Sequence, residues 1–155
     1  MHVYVASTLC HPTDTVADSP DYVSCFTNLR HLTFTDLHFN PRDGNKWRHG
    51  EKSFAWVHNT IAALQSPITH LTIEVLTYQP ATLKAVDWKA IDVLLSRREV
   101  FRSLVQVSVV FLDRLKDGNR DPESIAHPVT IRRLMPSTSM MGLLNVVTRG
   151  PKFHS

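Results

Sequence analysis

Trp88 to Phe111, WKAIDVLLSRREVFRSLVQVSVVF, holds a helical pattern, a short return and a strand pattern in one run, and it decides how the rest of the chain is read. Trp88, Ile91, Leu94 and Leu95 recur at helical spacing and place one apolar stripe on one face. Asp87, just ahead of them, is a natural N-cap acceptor. From Leu104 the period drops to two: Leu104, Val107 and Val109 are apolar against Gln106 and Ser108, the signature of a half-buried strand.

Working outward, the strand pattern occurs three times, as LRHLTF from Leu29, ITHLTI from Ile68 and LVQVSV from Leu104, each apolar at its first, fourth and sixth residue. The helical period returns between them in Phe54, Val57, Ile61 and Leu64, so each of the last two strands follows a helix. A helix-strand unit cannot bury its own apolar face, so units repeating every 20 to 50 residues or so must stack on one another. The expected fold is therefore α/β: a short leucine-rich-repeat-like solenoid with a parallel sheet on one face and helices on the other. The three strands should be adjacent, parallel and in chain order, with Leu71, Ile73, Leu95, Leu104, Val107 and Val109 in the core.

Residues 1–25 form an N-terminal segment or an edge strand: Val3, Val5 and Leu9 suit a strand, while Pro12, Asp14, Asp18, Ser19 and Pro20 suit a loop. If Val3 to Leu9 does not fold back as an added strand, the first repeat strand is an open edge and a site of self-association. The repeats occupy 26–149, and 150–155 are a tail. Asn40 to Asn45 is a turn-forming loop, a helix is expected from about Gly50 to Gln65, and Ser66-Pro67 stops it. Asp113 to His127 has the charge, glycine and proline of a surface loop. Pro128 suits the first turn of a helix that runs to Met135 and ends at Pro136, and Leu143 to Thr148 reads as a terminal strand.

Composition bounds the function. A chain of 155 residues, 43% hydrophobic and 20% charged, is one domain's worth of an ordinary globular protein. No apolar run reaches the roughly 18 residues a membrane helix needs, so no membrane partner is expected. The start MHVYVASTLC lacks the layout of a secretory signal, and Cys10 and Cys25 read as buried free thiols of a reducing compartment, so the expected location is intracellular, cytoplasmic or nuclear. Net charge is +3, and from Arg97 onward ten basic residues stand against five acidic ones. They are not interleaved with aromatics, which favours a solvated surface over a phosphate-tracking groove.

With nine histidines but no HxH, HExxH or HxxxH pair, no metal site is expected, and no motif of nucleophilic or phosphate-binding chemistry points to a cofactor. Asp87, Asp92 and Glu74 suit surface and capping roles better than acid-base catalysis. Trp47, Trp56 and Trp88 belong to helical stretches and should fill the space between helices and sheet. If the three strands pair in register, their polar residues form rows about 4.8 Å apart. These are His31, Thr33 and Thr35 on the first strand, His70, Thr72 and Glu74 on the second, and Gln106 and Ser108, followed by Val110, on the third. In solenoids the strand face is the usual binding surface, which makes these residues the candidate partner-binding set.

The LxxLxF-type strands, DWKAIDVLL followed by VFRSLVQVSVVF, and the closing IRRLMP with GLLNVV together resemble the C-terminal region of leucine-rich-repeat-like F-box proteins abundant in mushroom-forming fungi, over about Phe26 to Val147. The resemblance implies a non-catalytic module that recognises substrates for a ubiquitin ligase. In that family an N-terminal F-box docks on a Skp-type adaptor, and nothing in Met1 to Phe26 looks like one, so the adaptor is expected only if an F-box lies upstream. The competing reading is a weak nucleic-acid-binding or enzymatic domain using the basic C-terminal half.

Overall fold

All three motif strands form, and each lies beside the next. A computed structural model describes residues 2–6, 27–38, 57–76, 86–97, 99–112 and 122–149. In chain order these give β1 (His2–Ala6), β2 (His31–His38), helix α1 described over 57–62, β3 (His70–Leu76), α2 (Trp88–Leu95), β4 (Gln106–Leu112), α3 (Pro122–Leu134), α4 (Pro136–Met140) and β5 (Leu144–Arg149). The strands make one sheet in the order β1-β2-β3-β4-β5, parallel throughout. The chain is thus of the α/β class, with the three motif strands in the expected order at its centre.

The strands begin two residues later than the motifs. Leu29, Ile68 and Leu104 lie in the loops leading into β2, β3 and β4, where the Ile68 N–H donates to the Ser66 carbonyl at 2.8 Å and the Leu104 N–H to the Phe101 carbonyl at 3.0 Å. Those are turn bonds rather than ladder bonds, yet all three side chains are buried. The first apolar residue of each motif plugs the core from a loop.

Alternation does the rest. Leu32 and Phe34, Leu71, Ile73 and Val75, and Val107, Val109 and Phe111 point to one face and are all buried. They form a single apolar cluster with Val57, Ile61, Trp88, Ile91, Leu95, Ile131 and Met135 from the helices and the turn after α3. This face is dry because amphipathic helices return across it between parallel strands. All six residues expected in the core are buried, and so is Trp88. Trp47 and Trp56, the loops at 40–45 and around Pro80, Cys10, Cys25 and the tail lie outside the described residues.

Four expectations need adjusting. Within the unassigned N-terminal stretch, His2–Ala6 pairs parallel with β2, so the open edge moves one strand out. Helix α3 starts at Pro122, not Pro128, and runs through Pro128. Pro122 can take the first helical position because the N–H it lacks would have no partner there, while Pro128 is a tolerated interior proline. The chain after Pro136 is helical rather than irregular, because Pro136 opens α4 after a one-residue break at Met135.

Helix α4 delivers the chain into β5 through a two-bond C-terminal cap. The Gly142 N–H donates to the Ser139 carbonyl at 3.0 Å and the Leu143 N–H to the Thr138 carbonyl at 3.2 Å. This closure requires a left-handed residue, and Gly142 has φ of 69°.

Candidate functional site

The face of β2–β4 that the hydrophobic cluster leaves out carries the candidate residues. Pairing puts His31 opposite His70 and Thr33 opposite Thr72, then His70 opposite Gln106 and Thr72 opposite Ser108. Both of these rows are complete, and all six side chains are half-buried. The third row is not. Glu74 stands opposite Val110, but the β2–β3 register slips between Phe34 and Leu37, so Thr35 and Asp36 together face the single residue Glu74. Such a bulge turns Thr35 out of line with its expected partner. Val110 is only 3% exposed although it sits on this polar face, in register between Glu74 and Val147. The face is therefore polar at its first two rows and partly apolar beyond them.

Sequence reasoning missed the outer columns. On β1, His2 is in register with His31, and on β5, Asn145 is in register with Ser108. The signal for β1 was HVYVA itself: its alternation is legible, and aligning Val3 with Leu32 sets the register.

The first row stands on firmly fastened backbone. The Arg30 carbonyl accepts from the Thr69 N–H at 2.8 Å, the His70 N–H at 3.0 Å and the Thr69 hydroxyl at 3.0 Å. The Arg30 guanidinium donates to the Pro67 carbonyl at 2.9 Å, and the Leu29 N–H to the buried Ser66 hydroxyl at 3.3 Å. These bonds tie the start of β2 to the turn before β3.

Proton bookkeeping then assigns the His70 ring. A carbonyl only accepts, so the single hydroxyl proton of Thr69 goes to Arg30. The 2.9 Å contact between Thr69 Oγ1 and His70 Nδ1 must therefore use a proton on Nδ1. In the neutral ring this leaves Nε2 as the acceptor. The His31 and His70 rings stack with centroids 4.5 Å apart and planes 14° from parallel. Two imidazolium charges at that separation repel by about 1 kcal/mol in bulk water and about 4 kcal/mol in less polar surroundings. In the third column the Gln106 amide donates to the Ser108 hydroxyl at 2.8 Å, which links the two rows on β4.

Asp92 is the one buried carboxylate among the described residues, at 2% exposed, and it lies away from this face. It was expected at the surface or as a cap. It is a cap, but for a helix 45 residues away. Asp92 on α2 accepts from the Ser137 N–H at 3.0 Å, the Thr138 N–H at 2.7 Å and the Thr138 hydroxyl at 2.6 Å, all at the start of α4. Burial pushes its pKa up, but the bonds from Thr138 and Ser137 outweigh that and hold it below the ordinary value of 3.8. The shift has a structural cause and no catalytic partner beside it. Asp87 caps α2 as the sequence implied, accepting from the Ala90 N–H at 2.9 Å.

Among the described residues no group of three or more histidine, cysteine, aspartate or glutamate side chains is placed to hold a metal ion, and no helix is long and apolar enough to cross a membrane. The described basic residues of the C-terminal half, Arg97, Arg102, Arg132, Arg133 and Arg149, are all exposed. No family model, curated protein or solved structure matches the chain.

Proposed function

We propose that the chain is a non-catalytic protein-interaction module, a short leucine-rich-repeat-like solenoid that takes its partner on the polar sheet face. One observation carries this reading: two complete polar rows, His31-His70-Gln106 and Thr33-Thr72-Ser108, lie half-buried, in register and outside the hydrophobic cluster. Parallel pairing holds them on a rigid lattice, which keeps the ordering cost of binding low. The resemblance to fungal F-box proteins supports a narrower form, in which the bound partner is a substrate for ubiquitin ligation.

The test is affinity capture with three versions of the chain. Thr72→Arg plants a long cation in the middle of the face, and Lys89→Glu alters the exposed side of α2. A partner captured by the original and by Lys89→Glu but not by Thr72→Arg supports the reading. Partners lost only with Lys89→Glu overturn it. Recovery of a Skp-type adaptor with a chain extended upstream bears on the ligase link alone.

A further inference from the structure

Resting on that reading, we infer that the stacked His31–His70 pair and Glu74 make the sheet face a docking surface for a basic segment of a partner protein, held at neutral pH and released on acidification. Glu74 is the only side chain of fixed charge among the described residues on this face of β2, β3 and β4. With neutral imidazoles the face carries one negative charge, and with both protonated it carries one positive charge. Protonation thus reverses the sign of the surface rather than merely weakening it.

The hydrogen bonding fits the same partner. Neutral His70 spends its only ring proton on Thr69 and presents Nε2 as an acceptor, which suits an incoming ammonium or guanidinium donor. Glu74 lies four residues further along β3, about 13 Å at strand rise. An extended segment laid along β3 with donors about four residues apart reaches both groups.

The other charged or titratable groups near the pair are few. On β1, His2 is in register with His31. Arg30 precedes His31 and is held by the Pro67 carbonyl. The column on β4 offers Gln106, which does not titrate, and on β5 Arg149 lies in register with Leu112, at the far end of the face. None of these cancels the reversal, and His2 adds to it. Histidine is the side chain whose charge changes between about pH 5 and pH 8, and a cation that binds only the neutral pair loses affinity by up to about tenfold per pH unit for each proton taken up.

The experiment uses fluorescence anisotropy with the full chain, a labelled lysine-serine repeat peptide and its glutamate-serine counterpart, at about pH 8 and about pH 5.5. The lysine peptide should bind at the higher pH and weaken at least about tenfold at the lower one. Glu74→Gln should weaken it at the higher pH. The double variant His31→Gln, His70→Gln, with its fold checked by circular dichroism, should bind with little pH dependence. Equal affinities at the two pH values, or undiminished pH dependence in the double variant, overturn the inference. A glutamate peptide that binds better at the higher pH and is lost on Thr72→Arg overturns the charge assignment but leaves the face as a binding surface. If neither peptide binds and partner capture ignores Thr72→Arg, the underlying reading falls as well.

Discussion

The two faces of β3 differ more than any two regions of this molecule. Leu71, Ile73 and Val75 are at most 1% exposed, while Thr72 and Glu74, one residue away on the same backbone, are half-buried. The backbone bonds are shared, so the contrast comes from side chains alone. One face is held by packing against helices, and the other is free to be specified by chemistry. Stability and recognition are thereby separated by a single step along the strand.

Substitutions can break that separation, starting with the core. Leu104→Ala, at a buried loop position below β4, should destabilise the protein by roughly 2 to 5 kcal/mol. An unchanged chemical-denaturation midpoint would remove the claim that the first apolar residue of each motif plugs the core.

Next in size is the buried cap. Asp92→Ala strands two N–H groups and a hydroxyl at the start of α4 and should cost about 2 to 4 kcal/mol. Its pH signature is directional. Because the folded pKa lies below the ordinary 3.8, the carboxylate adds stability above that pH and loses it as pH falls through the lower folded value. Denaturation midpoints followed from about pH 6 to about pH 2.5 should therefore fall less steeply in Asp92→Ala than in the original chain. Parallel acid profiles would show that this group contributes nothing.

A smaller loss is expected at Gly142. A Cβ there meets nothing within 4 Å, so the cost of Gly142→Ala is purely that of placing alanine at φ of 69°, about 1 kcal/mol. A loss much above that in thermal melts would mean that the turn into β5 does more than reverse the chain.

The smallest effect sharpens the comparison from the other side. Thr72→Lys, on the open face, should change stability by no more than about 0.5 kcal/mol, because it removes no core contact. A loss of core size would show that this face is packed and not open.

Much of this was legible before any coordinates. The 1-4-6 apolar motif located the three central strands and named their core residues, and its spacing implied the in-register rows that the pairing displays. The same motif recurs as Met141-Gly-Leu-Leu-Asn-Val146, with Leu144 opposite Val107 and Val146 opposite Val109. It is harder to see because its first position is methionine. The bulge at Thr35 and Asp36 was not legible, since nothing in HLTFTDLH marks an extra residue. The role of Asp92 was hidden for a different reason: its partners lie 45 and 46 residues away, and no local pattern reports a bond over that separation.

What the sequence determined by itself was periodicity: which residues alternate, which recur every helical turn, and hence an α/β chain with a parallel sheet. Only the tertiary structure decided which polar residues share a surface. It stacked His31 on His70 across 39 residues, pointed the Thr69 hydroxyl at Arg30 so that His70 presents Nε2, and buried Val110 on the polar face. The physical reason is range. Alternation is written into neighbouring residues by backbone geometry, whereas register, tautomer and burial depend on which distant strand or helix arrives beside them.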